Sequence, residues 1–79
     1  MSAPVRVSII ADGEDALRLH KRVGCAARAL GIALTIASQR ANGDEPRVLI
    51  DGQLLVEGLP RTEDIEQRLG DWLAAAKAT

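Results

Sequence analysis

Seventy-nine residues with a formal net charge of −1 leave room for one domain built on one core. They offer neither the basic surplus that holds nucleic acid nor the run of about 20 apolar residues that crosses a membrane. The single cysteine, Cys25, excludes an internal disulfide and a four-cysteine zinc site, and the single aromatic residue, Trp72, excludes a base-stacking platform. The core must therefore come from Val, Leu, Ile and Ala. No charged-then-apolar leader opens the sequence, so a soluble cytoplasmic protein is expected. Charge is uneven: residues 1–40 carry six Lys/Arg against three Asp/Glu, and residues 41–79 carry four against eight. Such asymmetry either orients a partner or gives two ordinary solvated faces.

In chain order, Val5–Ile10 alternates and then turns continuously apolar, which predicts a central strand. Ala11 to Asp15 is a loop of turn formers and acids, with Asp12 or Gly13 placed to cap the next helix. From about Glu14 to Leu30 the spacing is helical, with Ala16, Leu19, Val23, Ala26, Ala27 and Leu30 on one face and Gly31 as the stop. Ile32–Ala37 reads as a second strand, parallel to the first through a right-handed crossover. Ser38–Glu45 is polar, contains Asn42-Gly43, and predicts an exposed, mobile loop. Pro46 leads into Arg47–Ile50, an Asp51-Gly52 turn of type I′ and the strand Gln53–Val56, together an antiparallel hairpin. Glu57-Gly58-Leu59-Pro60 ends it. Thr62 then caps a helix whose first turn is acidic and whose apolar stripe is Ile65, Leu69, Trp72, Leu73 and Ala76, with residues 77–79 frayed. The order βαββα predicts a four-stranded mixed sheet, spatially 2-1-3-4, with two main helices on one face.

A proline leading into Arg47-Val48-Leu49-Ile50-Asp51-Gly52, then Gly58-Leu59-Pro60 and Thr62-Glu63-Asp64-Ile65, resembles the second half of small thioredoxin-like domains of the glutaredoxin-like, redox-active disulfide type. Val5–Ile10, Leu19, Val23 and Leu30-Gly31-Ile32 agree more loosely with the first half. The family carries a Cys-x-x-Cys motif after the first strand. Counting back from Leu30-Gly31-Ile32, those slots fall on Gly13-Glu14-Asp15-Ala16, where no cysteine stands. The resemblance thus implies the fold without its dithiol chemistry. It also implies a cis Glu45–Pro46 bond, a trans edge proline being the alternative, and a peptide-binding groove formed by Asp12, Gly13, Glu14, Asp15, Glu45 and Pro46. That groove is acidic and suits cationic or neutral segments.

Beside the resemblance, Cys25 is the side chain with intrinsic nucleophilic chemistry. Its helical neighbours are Lys21, Arg22 and Arg28, with Arg18 two turns back, and cations at such spacing would assist a thiol. An incidental surface cysteine is the plainer reading. His20, at the edge of the apolar stripe and without a second ligand, reads as a structural histidine rather than a metal ligand. Asp12, Glu14 and Asp15 read as a capping loop rather than a divalent-cation site. No cofactor or metal is expected. The sequence therefore points to a non-catalytic interaction module for a protein or peptide partner, or for a second copy of itself. The alternative is a thiol-transfer protein using Cys25.

Overall fold

The computed structural model describes residues 4–77. Six elements follow one another: β1 (Val5–Ile10), α1 (Gly13–Leu30), β2 (Leu34–Gln39), β3 (Arg47–Ile50), β4 (Gln53–Glu57) and α2 (Thr62–Lys77). β1 pairs parallel with β2 and antiparallel with β3, and β3 pairs antiparallel with β4. The α+β class and the mixed sheet in order β2-β1-β3-β4 are those the sequence predicts. The frayed end expected at 77–79 falls largely outside the described residues; α2 itself reaches Lys77.

Local chemistry explains most boundaries. α1 ends in a Schellman motif: Gly31 is left-handed (φ 68°), its N–H donates to Arg28 O at 3.1 Å, and the Ile32 N–H donates to Ala27 O at 3.0 Å. Closing the helix this way occupies residues 31–33, so β2 starts at Leu34, two residues later than periodicity suggests, and runs to Gln39. Asp51 and Gly52 both have positive φ, 52° and 83°, as a type I′ turn requires. Val48 faces Val56 while Leu49 faces Leu54, so Leu55 is an extra residue and β4 carries a bulge. At α2 the cap lies one residue earlier than expected. The Arg61 carbonyl accepts from the Ile65 N–H at 3.1 Å, and the Arg61 N–H donates to Asp64 Oδ2 at 3.3 Å. Asp64 thus supplies the carboxylate half of a capping box, and Thr62 is already helical.

The core is aliphatic. Val7 and Ile9 of β1, Val48 and Ile50 of β3, and Val56 of β4 meet Leu19, Val23 and Ala26 of α1 and Ile65 and Leu69 of α2. Trp72 and Leu73 pack at its margin half-buried, while Ala76 is exposed. Both helices lie on one face and touch each other: a side chain begun at Gly70 would meet Leu30 Cδ2 at 3.8 Å. On the other face no helix covers the row Ala37, Ser8, Leu49 and Leu54 that the pairing register sets side by side.

One expectation is overturned: no peptide bond among the described residues is cis, so Glu45–Pro46 is trans. The loop after β2 is exposed as expected, except that Ala41 is buried and the backbone beyond it is hydrogen-bonded to Asp12.

Because Ile65 is fully buried where α2 meets the sheet, Ile65→Ala should cost about 2–5 kcal/mol. Leu54→Ala, on the uncovered face, should stay within about 0.5 kcal/mol. Paired urea titrations with unchanged slopes check both values.

Candidate functional site

The loops at the C-terminal end of β1, with the first turn of α1, hold all six positions expected in the groove. Ala11 donates its N–H to Gln39 O at 3.1 Å, and Gly58 donates to Pro46 O at 2.7 Å, so the ends of all four strands are tied here. Asp12 sits between them in extended conformation as the N-cap of α1, its carbonyl accepting the Asp15 N–H at 3.1 Å.

The Asp12 side chain does not cap the helix. It turns instead to a segment some thirty residues away. Oδ1 accepts the N–H groups of Ala41 at 2.9 Å and Asn42 at 3.3 Å, and Oδ2 accepts that of Gly43 at 2.9 Å. Three consecutive amides converge because Asn42 and Gly43 both have positive φ, 55° and 88°. The Asp44 N–H closes this turn onto Ala41 O at 3.1 Å. The result is a backbone anion cradle filled by the chain's own carboxylate. Hydrogen bonds from Gly43 and Ala41, then Asn42, with the nearby Arg40 charge, hold the Asp12 carboxyl below its ordinary value against a smaller opposing effect of desolvation.

The remaining groove residues do not make an open acidic trough. Glu14 and Asp15 both lie by Arg18, at 3.5 and 3.9 Å, in exposed pairs worth little. Gly13 is exposed at the helix start, and Pro46 is half-buried at the start of β3. Glu45 is exposed and leans over Gly58, where an added Cβ would meet its Oε1 at 3.4 Å. A cleft of ≈ 480 Å³ lies elsewhere, between α2 and β4, lined by Glu57, Pro60, Asp64 and Arg68 among others.

Cys25 is exposed on α1, on the side turned away from the core. The basic cluster expected around it is reduced. Arg18 pairs with Glu14 and Asp15, and the half-buried Arg22 reaches the opposite way. Its Nη1 donates to Leu59 O at 3.3 Å and Pro60 O at 3.1 Å, fastening the β4–α2 connection to α1. His20 is half-buried, with Nε2 2.6 Å from Ser38 Oγ on β2, the structural role expected of it. Among the described residues no group of three or more His, Cys, Asp or Glu is arranged to hold a metal. No helix among them is long and apolar enough to cross a membrane.

Sequence reasoning missed the Arg22 tether and the Asp12 clasp. Asn42-Gly43 was the visible half of the clasp, as a turn dipeptide. Its carboxylate partner stands 30 and 31 residues away, beyond any local pattern. No family model matches the chain, and no curated protein matches it in sequence.

Asp12→Ala should free the amides of Ala41 and Gly43, raising their hydrogen-exchange rates well above those of β1. A carboxylate held below its ordinary value stabilises the fold fully above the unfolded value of about 3.9, and this contribution is lost as pH falls through the lower folded value. The gap in melting temperature between the wild type and Asp12→Ala should thus be widest near neutrality and shrink below about pH 4.

Proposed function

We propose that this chain is a non-catalytic interaction module of the thioredoxin-like type, holding a protein or peptide segment at the loop end of β1. The observation that carries this reading is the β1–α1 junction. There the positions that the resemblance assigns to a dithiol are Gly13, Glu14, Asp15 and Ala16, and the carboxylate beside them is occupied by backbone amides. A thiol nucleophile needs a shaped, partly enclosed site with a base or a cation at hand. Cys25 stands exposed on α1, away from this end, and two of its four neighbouring cations are engaged elsewhere.

Exposed charge at the loop end favours a cationic segment. Asp44 and Glu45 face solvent there, while Glu14 lies 3.5 Å from Arg18 and Asp12 is satisfied internally. Such a surface accelerates encounter and selects by sign more than it supplies affinity.

In a dithiothreitol-coupled disulfide-reduction assay, the wild type and Cys25→Ser should both give background rates. Turnover that disappears in Cys25→Ser would establish the thiol-transfer alternative instead. Titration of isotopically labelled protein with an arginine-rich peptide should shift amides at 13–15 and 44–45, and added salt should weaken the effect. Shifts confined to the cleft beside α2, or none at all, would refute the assignment of the surface.

A further inference from the structure

We propose that two copies of this chain associate edge to edge through β2, forming one continuous eight-stranded sheet with the two α1 helices side by side above the seam. This is independent of any partner bound at the loop end. Two hydrogen bonds reveal which way the β2 backbone points. Val5 N–H donates to Ala33 O and Ala11 N–H to Gln39 O, so the odd-numbered peptide groups of β2 face β1. In a parallel pair the intervening residues turn outward, which leaves the N–H and C=O of Leu34, Ile36 and Ser38 directed away from the sheet.

A two-fold axis makes a strand meet its own copy antiparallel. With Ile36 on the axis, Ile36 faces Ile36 and Leu34 faces Ser38 as hydrogen-bonded pairs, each exchanging two bonds. The helix-side and open-side residues keep to their own faces in this register. Nothing in Leu34–Gln39 opposes it: the strand has no charge, no proline and no bulge, the usual devices that protect an edge.

The layer above fits the same axis. His20 is held to Ser38, which fixes the height of α1 on β2. Ile36 lies about 6.6 Å back along the strand from Ser38, and Gly24 lies about 6 Å onward along the antiparallel helix from His20. Gly24 therefore sits level with Ile36. It also lies on the flank of α1 opposite Arg22, which reaches toward the α2 side. Glycine is among the poorest residues inside a helix, and nothing in the monomer calls for it here. Its φ is not positive, and an added Cβ would meet no atom within 4 Å. Two helices spread over four strands each cover two of them, so a second copy joined at β2 brings its α1 to about 10 Å, the spacing of packed helices. Gly24 would then face Gly24.

Leu17, 72% exposed, lies on the same flank two turns before Gly24. In this register it reaches the level of Gly31 and Ala33 of the second copy, both small and exposed. The flank is two layers high, about 20 Å, and as long as the 18-residue α1, about 27 Å. Its flat footprint is roughly 500 Å² on each partner, or roughly 1,000 Å² in total before corrugation, which meets the minimum for a biological interface and fits a weak, reversible dimer. Lys21 and Arg28 on the upper flank repel their copies, so salt should tighten the dimer.

Sedimentation equilibrium over a wide concentration series should show a monomer–dimer equilibrium that is tighter at higher salt. Gly24→Leu should weaken dimerisation at least about tenfold. Thermal unfolding of the dilute Gly24→Leu monomer should not be lowered, because leucine is the better helix former. Leu17→Glu should weaken association in the same direction. Hydrogen exchange at the amides of Leu34, Ile36 and Ser38 should slow as concentration rises, while the odd-numbered amides of β2 stay protected throughout. A protein monomeric at every concentration would overturn the proposal. So would a dimer indifferent to Gly24→Leu, or one that leaves the three outward amides unprotected and is lost with Leu54→Glu, which would place the contact on the open face.

Discussion

The burial of β1 is the constraint to which the rest of the fold answers. Val7 and Ile9 are buried between both neighbouring strands and the helical layer, in a chain with almost no aromatic bulk. Aliphatic side chains fill such a space only if the helices come close, and they do so where Leu30 of α1 lies over Gly70 of α2. β1 also sets the register for both partners, since Val7 is level with Ile36 on one side and with Ile50 on the other. Fixing that strand fixes where its C-terminal end lies, and the loops that meet there have little freedom left. The candidate site is a consequence of sheet order before it is a matter of particular side chains.

At that end, one carboxylate replaces what would otherwise be a contact between helix and loop. Two short backbone N–H bonds to Asp12, from Ala41 and Gly43, and a longer one from Asn42 tie the 41–44 turn to the N-terminus of α1. Bonds to an ionised acceptor are stronger than neutral ones, and convergence of several amides on one carboxylate favours its charged form. The same interaction alters the electrostatics of the surface. The Asp12 oxygens are taken by amides and Glu14 lies by Arg18, so the carboxylates open to a partner at this end are those of Asp44 and Glu45. Any binding at this end meets a turn tied to the N-terminus of α1 by these hydrogen bonds.

What the sequence reveals here divides by range. The Asp51-Gly52 turn is legible because two adjacent residues determine its φ angles, and the helices are legible because their apolar spacing is regular. The strand order follows from one crossover and one hairpin. The two-residue displacement of β2 comes from the Schellman closure, which takes up Gly31 to Ala33 while the apolar run continues through it. Alternation alone cannot tell residues that close a helix from residues that begin a strand. The destination of Arg22 and the clasp of Asp12 depend on packing between segments tens of residues apart, whereas the trans Pro46 is the ordinary isomer of its bond. Arg22 and Lys21 look equivalent on a helical wheel. Only the position of the Leu59-Pro60 carbonyls separates a tether from a free cation.

The two edges of the sheet differ in a way that bears on how the molecule meets others. β4 is short, interrupted at Leu55 by its bulge, and ends on the charge of Glu57. Bulges and charges twist or repel an incoming strand, so this edge is closed to extension. β2 has none of these features, and its outward peptide groups meet no part of the chain in the described structure. A sheet that protects one edge and leaves the other bare has a direction of growth, and growth by a two-fold stops after one addition because β2 is then used on both sides. In the proposed dimer the protected β4 edge would keep the assembly finite, and Gly24 would let the helices above the seam approach as closely as the strands beneath them require.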